Sequence, residues 1–105
     1  MLPLIILTGP TGSGKSETAL ALARKLNTDI ISADSMQVYK YFDIGTAKPS
    51  LAAREEIPHH LIDILEPNQE FNAFSFKARA LKVILKLIKR GKIPILVGGT
   101  GLYIK

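Results

Sequence analysis

The chain has 105 residues, the length of one domain, and nearly half of them are apolar, enough to build a core. It has no cysteine, so disulfides and thiolate metal sites are excluded and cytosolic residence is the default expectation. Lys and Arg outnumber Asp and Glu by 14 to 9, and the net charge of +5 suits a polyanion such as nucleic acid as well as it suits an ordinary nucleotide-binding domain.

The opening MLPLIIL is too short for a signal peptide, has no basic segment before it and runs straight into a glycine-rich turn. No later stretch approaches the roughly 18 apolar residues of a membrane span, so no membrane association is expected. Leu4 to Leu7 is a continuous apolar run and reads as a strand buried on both faces. The turn GPTGSGKS, Gly9 to Ser16, fits G-x-x-x-x-G-K-[ST], the phosphate-loop pattern. Lys15 to Leu26 then places Ala19, Leu22, Ala23 and Leu26 at helical spacing, with Asn27 as C-cap. Asp29 to Ala33 is a second apolar run, and a crossover of this kind makes the two strands parallel.

Ser35 to Pro49 reads as loop with a turn or two of helix. Leu51 to Glu56 reads as a short helix stopped by Pro58, and His60 to Leu65 as a strand. Asn72 caps a helix from Ala73 to Arg90, and Gly91 ends it. Phe74, Ala78, Leu81, Leu85 and Ile88 are its expected apolar face, and Arg79, Lys82, Lys86 and Lys89 its solvated basic face. Ile93 to Val97 is a last strand, stopped by Gly98 and Gly99. The expected fold is therefore α/β, a P-loop NTPase-like three-layer sandwich with a mainly parallel sheet. Three or four strands are expected to leave a bare edge, so the chain is expected to be the amino-terminal part of something longer.

The phosphate loop is the strongest chemical signal. Its backbone N–H groups and the positive end of the following helix make an anion cradle over Gly9, Pro10, Thr11, Gly12, Ser13, Gly14, Lys15 and Ser16. Lys15 reaches terminal phosphates and the Ser16 hydroxyl ligates Mg²⁺. Asp34 ends the second apolar run. Ligands of open parallel sheets sit beyond the carboxyl ends of the strands, where the loop also lies. A carboxylate there can take a proton or order metal-bound water, or simply cap the next turn. Asp63 reads as an ordinary strand or turn carboxylate before a metal-supporting one. His59 and His60 lack a partner cluster with metal spacing and read as satisfied surface or loop histidines. Phe71, Phe74 and Phe76 read as core. Gly98, Gly99 and Thr100 follow a buried strand at the ligand edge, where a glycine pair lets substrate pass close and Thr100 offers a hydroxyl.

Three blocks carry a more specific signal: ISADSMQVYKYFDIGTAKP from Ile31 to Pro49, PHHLIDIL from Pro58 to Leu65, and IPILVGGTGLYIK from Ile93 to Lys105. In order and spacing they resemble the tRNA dimethylallyltransferases, also called isopentenyl-diphosphate:tRNA transferases, over nearly the whole chain. Transferases that prenylate free adenine nucleotides share part of the pattern. The resemblance implies that the loop holds dimethylallyl diphosphate with Mg²⁺. It implies that the exocyclic N6 of the adenosine just 3′ of the anticodon, in tRNAs reading codons that begin with U, attacks the allylic carbon. Asp34 is then the general base and Thr100 its catalytic companion, while Ser35, Met36, Gln37 and Thr100 contact the anticodon stem-loop. A cytoplasmic protein, monomeric at full length, is implied as well. Gly12 stands where alanine is common in the family. Family members are considerably longer, with a helical insertion that grips the anticodon arm and carboxy-terminal elements that complete the sheet, so the 105 residues alone are expected to be inactive. Two other readings stay open: a phosphate-loop kinase or NTPase, and a non-catalytic nucleotide- or RNA-binding fragment.

Overall fold

The computed structural model describes residues 3–9, 14–33, 40 and 48–98. Among the described residues four strands form one parallel sheet: β1 (Ile5–Thr8), β2 (Ile30–Ser32), β3 (His59–His60) and β4 (Ile95–Gly98). Their spatial order is β1-β4-β2-β3, so β4 lies between the first two strands. The register aligns Ile5 and Ile30 with Ile95, and Leu7 and Ser32 with Val97. Helices α1 (Lys15–Leu26), α2 (Leu51–Glu56) and α3 (Ala73–Lys89) make the connections.

Alternation along the strands splits the core into two layers. Ile30 and Ile95 face α1, where they pack with Ala19, Ala23 and Ile57. Ile31 and Leu96 face the other way, onto Phe76, Ala80, Ile84 and Leu87 of α3. Two small alanines on α1 let that helix lie close to the sheet, while α3 fills its side with larger groups. The sandwich is thus three layers deep, as the sequence pattern predicts.

The caps explain where the helices begin and end. The Asn72 side chain accepts from the Ser75 N–H at 3.0 Å, and the Ser50 hydroxyl accepts from the Ala53 N–H at 3.1 Å. Asn27 ends α1 in the left-handed conformation, and Gly91 follows α3 with φ of 77°.

Four expectations need correction. The buried face of α3 is Phe76, Ala80, Ile84 and Leu87, whereas Phe74 is 83% exposed and Leu85 52% exposed. This helix carries two apolar stripes, and the one at Phe74, Ala78, Leu81 and Leu85 faces outward. Of the three phenylalanines, Phe76 is core and Phe71 packs against it at 5.4 Å, while Phe74 is not core. The first strand is not buried on both faces: β1 is an edge strand and Ile6 is half exposed. Of the segment from His60 to Leu65 only His60 belongs to β3, because Leu61 and Asp63 take φ of 70° and 58°, which breaks the extended run.

Candidate functional site

A parallel sheet ends all its strands at one rim. Here Thr8 leads into the phosphate loop, Ser32 and Ala33 lead to Asp34, Gly98 leads to Gly99 and Thr100, and His60 leads to Leu61–Asp63. Every residue expected to act on a ligand therefore belongs to a segment that leaves this rim.

The described part of the loop has the backbone that the motif requires. Gly14 caps α1 with φ of 81°, and no side chain caps the helix in its place. A Cβ at Gly14 would meet nothing within 4 Å, so the left-handed backbone, and not crowding, selects glycine. An uncapped amino end leaves its first N–H groups pointing out of the helix toward the space where an anion binds.

Lys15 is the first residue of α1 and is partly buried. Its ammonium donates to the carbonyl oxygen of Gly9 at 2.5 Å and to that of Gly98 at 3.0 Å. It thus sits where β1 and β4 both end. A diphosphate oxygen is a stronger acceptor than a neutral carbonyl, so the ammonium can exchange one for the other without leaving the rim. Ser16, next along the first turn, is exposed.

On the other side of β4, the Ala33 N–H donates to the Val97 carbonyl at 2.7 Å. That bond fixes the carboxyl end of β2 one residue before Asp34. The sequence pattern makes the first and second strands parallel but does not say whether they are neighbours. In the structure they are separated by β4, about 10 Å apart at the usual strand spacing. A ligand spanning the carboxyl ends of β1 and β2 would cross Gly98. Pro10, Thr11, Gly12, Ser13, Asp34, Ser35, Met36, Gln37 and Thr100 lie outside the described residues.

Three further side chains prove to be paired. Asp63 accepts from Lys48 Nζ at 2.6 Å and from Arg54 at 2.7 Å, so it is a turn carboxylate in an ion-pair network. Burial pushes its pKa up, but the bonds and charges of Lys48 and Arg54 outweigh this and hold it below the ordinary carboxylate value. His60 bonds the Asp29 carboxylate at 2.8 Å, and His59 Nδ1 bonds the Ile57 carbonyl at 2.6 Å. Burial is the main reason that the His59 pKa is lowered. Among the described residues no group of three or more His, Cys, Asp or Glu could hold a metal ion. The role of the Gly98 carbonyl was not legible in the sequence, since nothing local signals that β4 stands beside β1.

The family follows from comparison with known proteins. Residues 37–105 match the IPP transferase family model. A tRNA dimethylallyltransferase of Carboxydothermus hydrogenoformans is 58% identical over 102 residues, which are 97% of this chain and 33% of that protein. One from Pelotomaculum thermopropionicum is 55% identical over 98% of this chain and 33% of its own length. The crystal structure of a tRNA isopentenylpyrophosphate transferase from Staphylococcus epidermidis superposes with a TM-score of 0.91 at 53% identity, over 98% of this chain and 34% of that one. A eukaryotic dimethylallyltransferase captured acting on tRNA superposes with a TM-score of 0.90 at 42% identity, over 98% of this chain and 26% of its own. The fold is of the P-loop NTPase kind, and the chain belongs to the IPP transferase family. It spans about a third of the length of the curated relatives it matches.

Among the described residues no helix is long and apolar enough to cross a membrane.

Proposed function

We propose that this chain is the donor-holding part of a tRNA dimethylallyltransferase, a cytoplasmic enzyme that transfers a dimethylallyl group from dimethylallyl diphosphate to N6 of the adenosine just 3′ of the anticodon. The observation that carries this reading is the match, along nearly the whole chain, to proteins named for that reaction. A phosphate loop by itself would serve a kinase equally well.

Each residue has a task in this scheme. The loop amides and the Lys15 ammonium hold the diphosphate and steady the charge that gathers on it as the allylic C–O bond breaks. The exposed Ser16 hydroxyl would hold Mg²⁺, whose charge helps to neutralise the departing pyrophosphate. The adenine amino group is a weak nucleophile because its lone pair is delocalised into the ring. Asp34 accepts the N6 proton as the C–N bond forms, help typically worth about 10²–10⁴-fold. The base must leave its stack, at a cost of a few kcal/mol. Ser35, Met36 and Gln37, next to Asp34, hold it there, and Thr100 supports it from the end of β4.

The test completes this chain to family length with the remaining two thirds of the Carboxydothermus hydrogenoformans relative. The protein is incubated with unmodified tRNA and dimethylallyl diphosphate, and the digested nucleosides are weighed by mass spectrometry. One adenosine per tRNA should gain a dimethylallyl group. Unmodified tRNA, with ATP bound far more tightly than the prenyl donor, would favour the kinase reading.

A further inference from the structure

The segment between β2 and α2 contains the residues proposed to hold the acceptor base. Its described residues are tied to the connection that leaves β3. The Lys40 N–H donates to the Leu65 carbonyl at 2.8 Å, and Lys40 Nζ pairs with Glu66 at 2.9 Å. Lys48 Nζ pairs with Asp63 at 2.6 Å. So the chain is gripped at both Lys40 and Lys48, on either side of residues 41–47, by one short stretch, Asp63 to Glu66.

The two grips are unequal. The Lys40–Glu66 pair is exposed on both sides, and such pairs contribute little. The Lys48 side chain is only 3% exposed. A buried ammonium requires partners, and Asp63 supplies one. The left-handed backbone at Asp63, φ 58°, turns the carboxylate so that it also meets Arg54, which in turn donates to the Pro49 carbonyl at 3.1 Å. Asp63 therefore fixes the segment's carboxyl end twice, through Lys48 and through the residue after it. It does so at the sheet rim where the ligand-directed segments emerge, since β3 is parallel to β2 and ends there.

We propose that Asp63, through Lys48, is a positioning residue for acceptor binding: it anchors the chain at Lys48, beyond the stretch that carries Ser35, Met36 and Gln37, and leaves the donor cradle untouched. This rests on the reading of Ser35, Met36 and Gln37 as base-holding residues. The cradle is built from β1, α1 and β4, none of which Asp63 contacts through these bonds, so acceptor and donor effects separate.

Two variants test it in the family-length protein: Asp63→Asn, and Lys48→Met, which keeps an apolar stem in the buried space and leaves Asp63 its arginine. The expected result is a rise of tenfold or more in KM for tRNA, with donor affinity within twofold of the parent. The double variant should be no worse than the poorer single one, because the Lys48–Asp63 link is lost in both. Lys48→Arg should recover most of the loss. Amide hydrogen exchange over residues 34–48, read without any reaction, should quicken at least tenfold in both variants while α1 is unchanged. Unchanged exchange, or equal damage to donor and tRNA parameters, overturns the proposal. If the parent protein fails to prenylate tRNA, the functional reading fails and the acceptor role falls with it. If the parent prenylates and the variants keep its KM for tRNA, the positioning role alone fails.

Discussion

Lys15 and Gly98 stand 83 positions apart in the chain, yet the lysine ammonium lies 3.0 Å from the glycine carbonyl. The bond joins the start of α1 to the end of β4. It puts a fixed positive charge at the middle of the sheet rim, between the loop that follows β1 and the segment that follows β2. The lysine proposed to hold the diphosphate is thereby anchored to the strand that leads into Gly99 and Thr100.

The backbone at Gly14 makes a sharp prediction. Its φ of 81° costs an L-residue about 1–2 kcal/mol, and no steric clash adds to this, since a Cβ would meet nothing within 4 Å. Gly14→Ala should lower stability by about that amount in a denaturant titration. Gly14→Asn should lose less, because asparagine visits this region more readily. Equal losses would mean that the penalty is not conformational.

The two apolar stripes of α3 can be told apart by truncation. Ile84 is 1% exposed and Leu85 is 52% exposed. Ile84→Ala should cost about 2–5 kcal/mol, and Leu85→Ala about 0.5 kcal/mol or less, in the unfolding free energy of the chain. The reverse order would show that the helix is rotated from the face described.

Acid should destabilise the fold in two stages, and the sign is the same for both. Burial lowers the His59 pKa, so below its ordinary value, about 6.5, the unfolded chain binds the extra proton and stability falls with pH. For Asp63, burial opposes ionisation but Lys48 and Arg54 prevail, so its contribution is present above about pH 3.9 and is lost as pH falls through its lower folded value. Denaturation midpoints at about pH 7.5 and about pH 5 should differ, and His59→Gln should narrow that difference. An unchanged gap would assign the acid response to other groups.

Local chemistry was legible where it is encoded locally. The ends of α1 and α3 follow from Asn27, Asn72 and Gly91, each acting within a few residues of itself. The phosphate loop is legible for the same reason. The buried stripe of α3 was not, because Phe74, Ala78, Leu81 and Leu85 repeat at helical spacing as well as Phe76, Ala80, Ile84 and Leu87 do. Only the sheet decides between them. The insertion of β4 between β1 and β2 is likewise a long-range choice, and it gives Gly98 a part in the site that periodicity cannot assign. HLIDIL reads as a strand, and only the positive φ at Leu61 and Asp63 shows that it turns.

The most direct measurement is single-turnover prenyl transfer by the family-length protein with Asp34→Asn or Lys15→Met, alongside titration of a non-reacting thiodiphosphate analogue of the donor. The account predicts a split. Asp34→Asn should slow transfer by about 10²–10⁴-fold with analogue affinity unchanged, whereas Lys15→Met should weaken analogue binding at least tenfold by removing a charged donor. Parent-like transfer by Asp34→Asn, or parent-like analogue affinity in Lys15→Met, would contradict it.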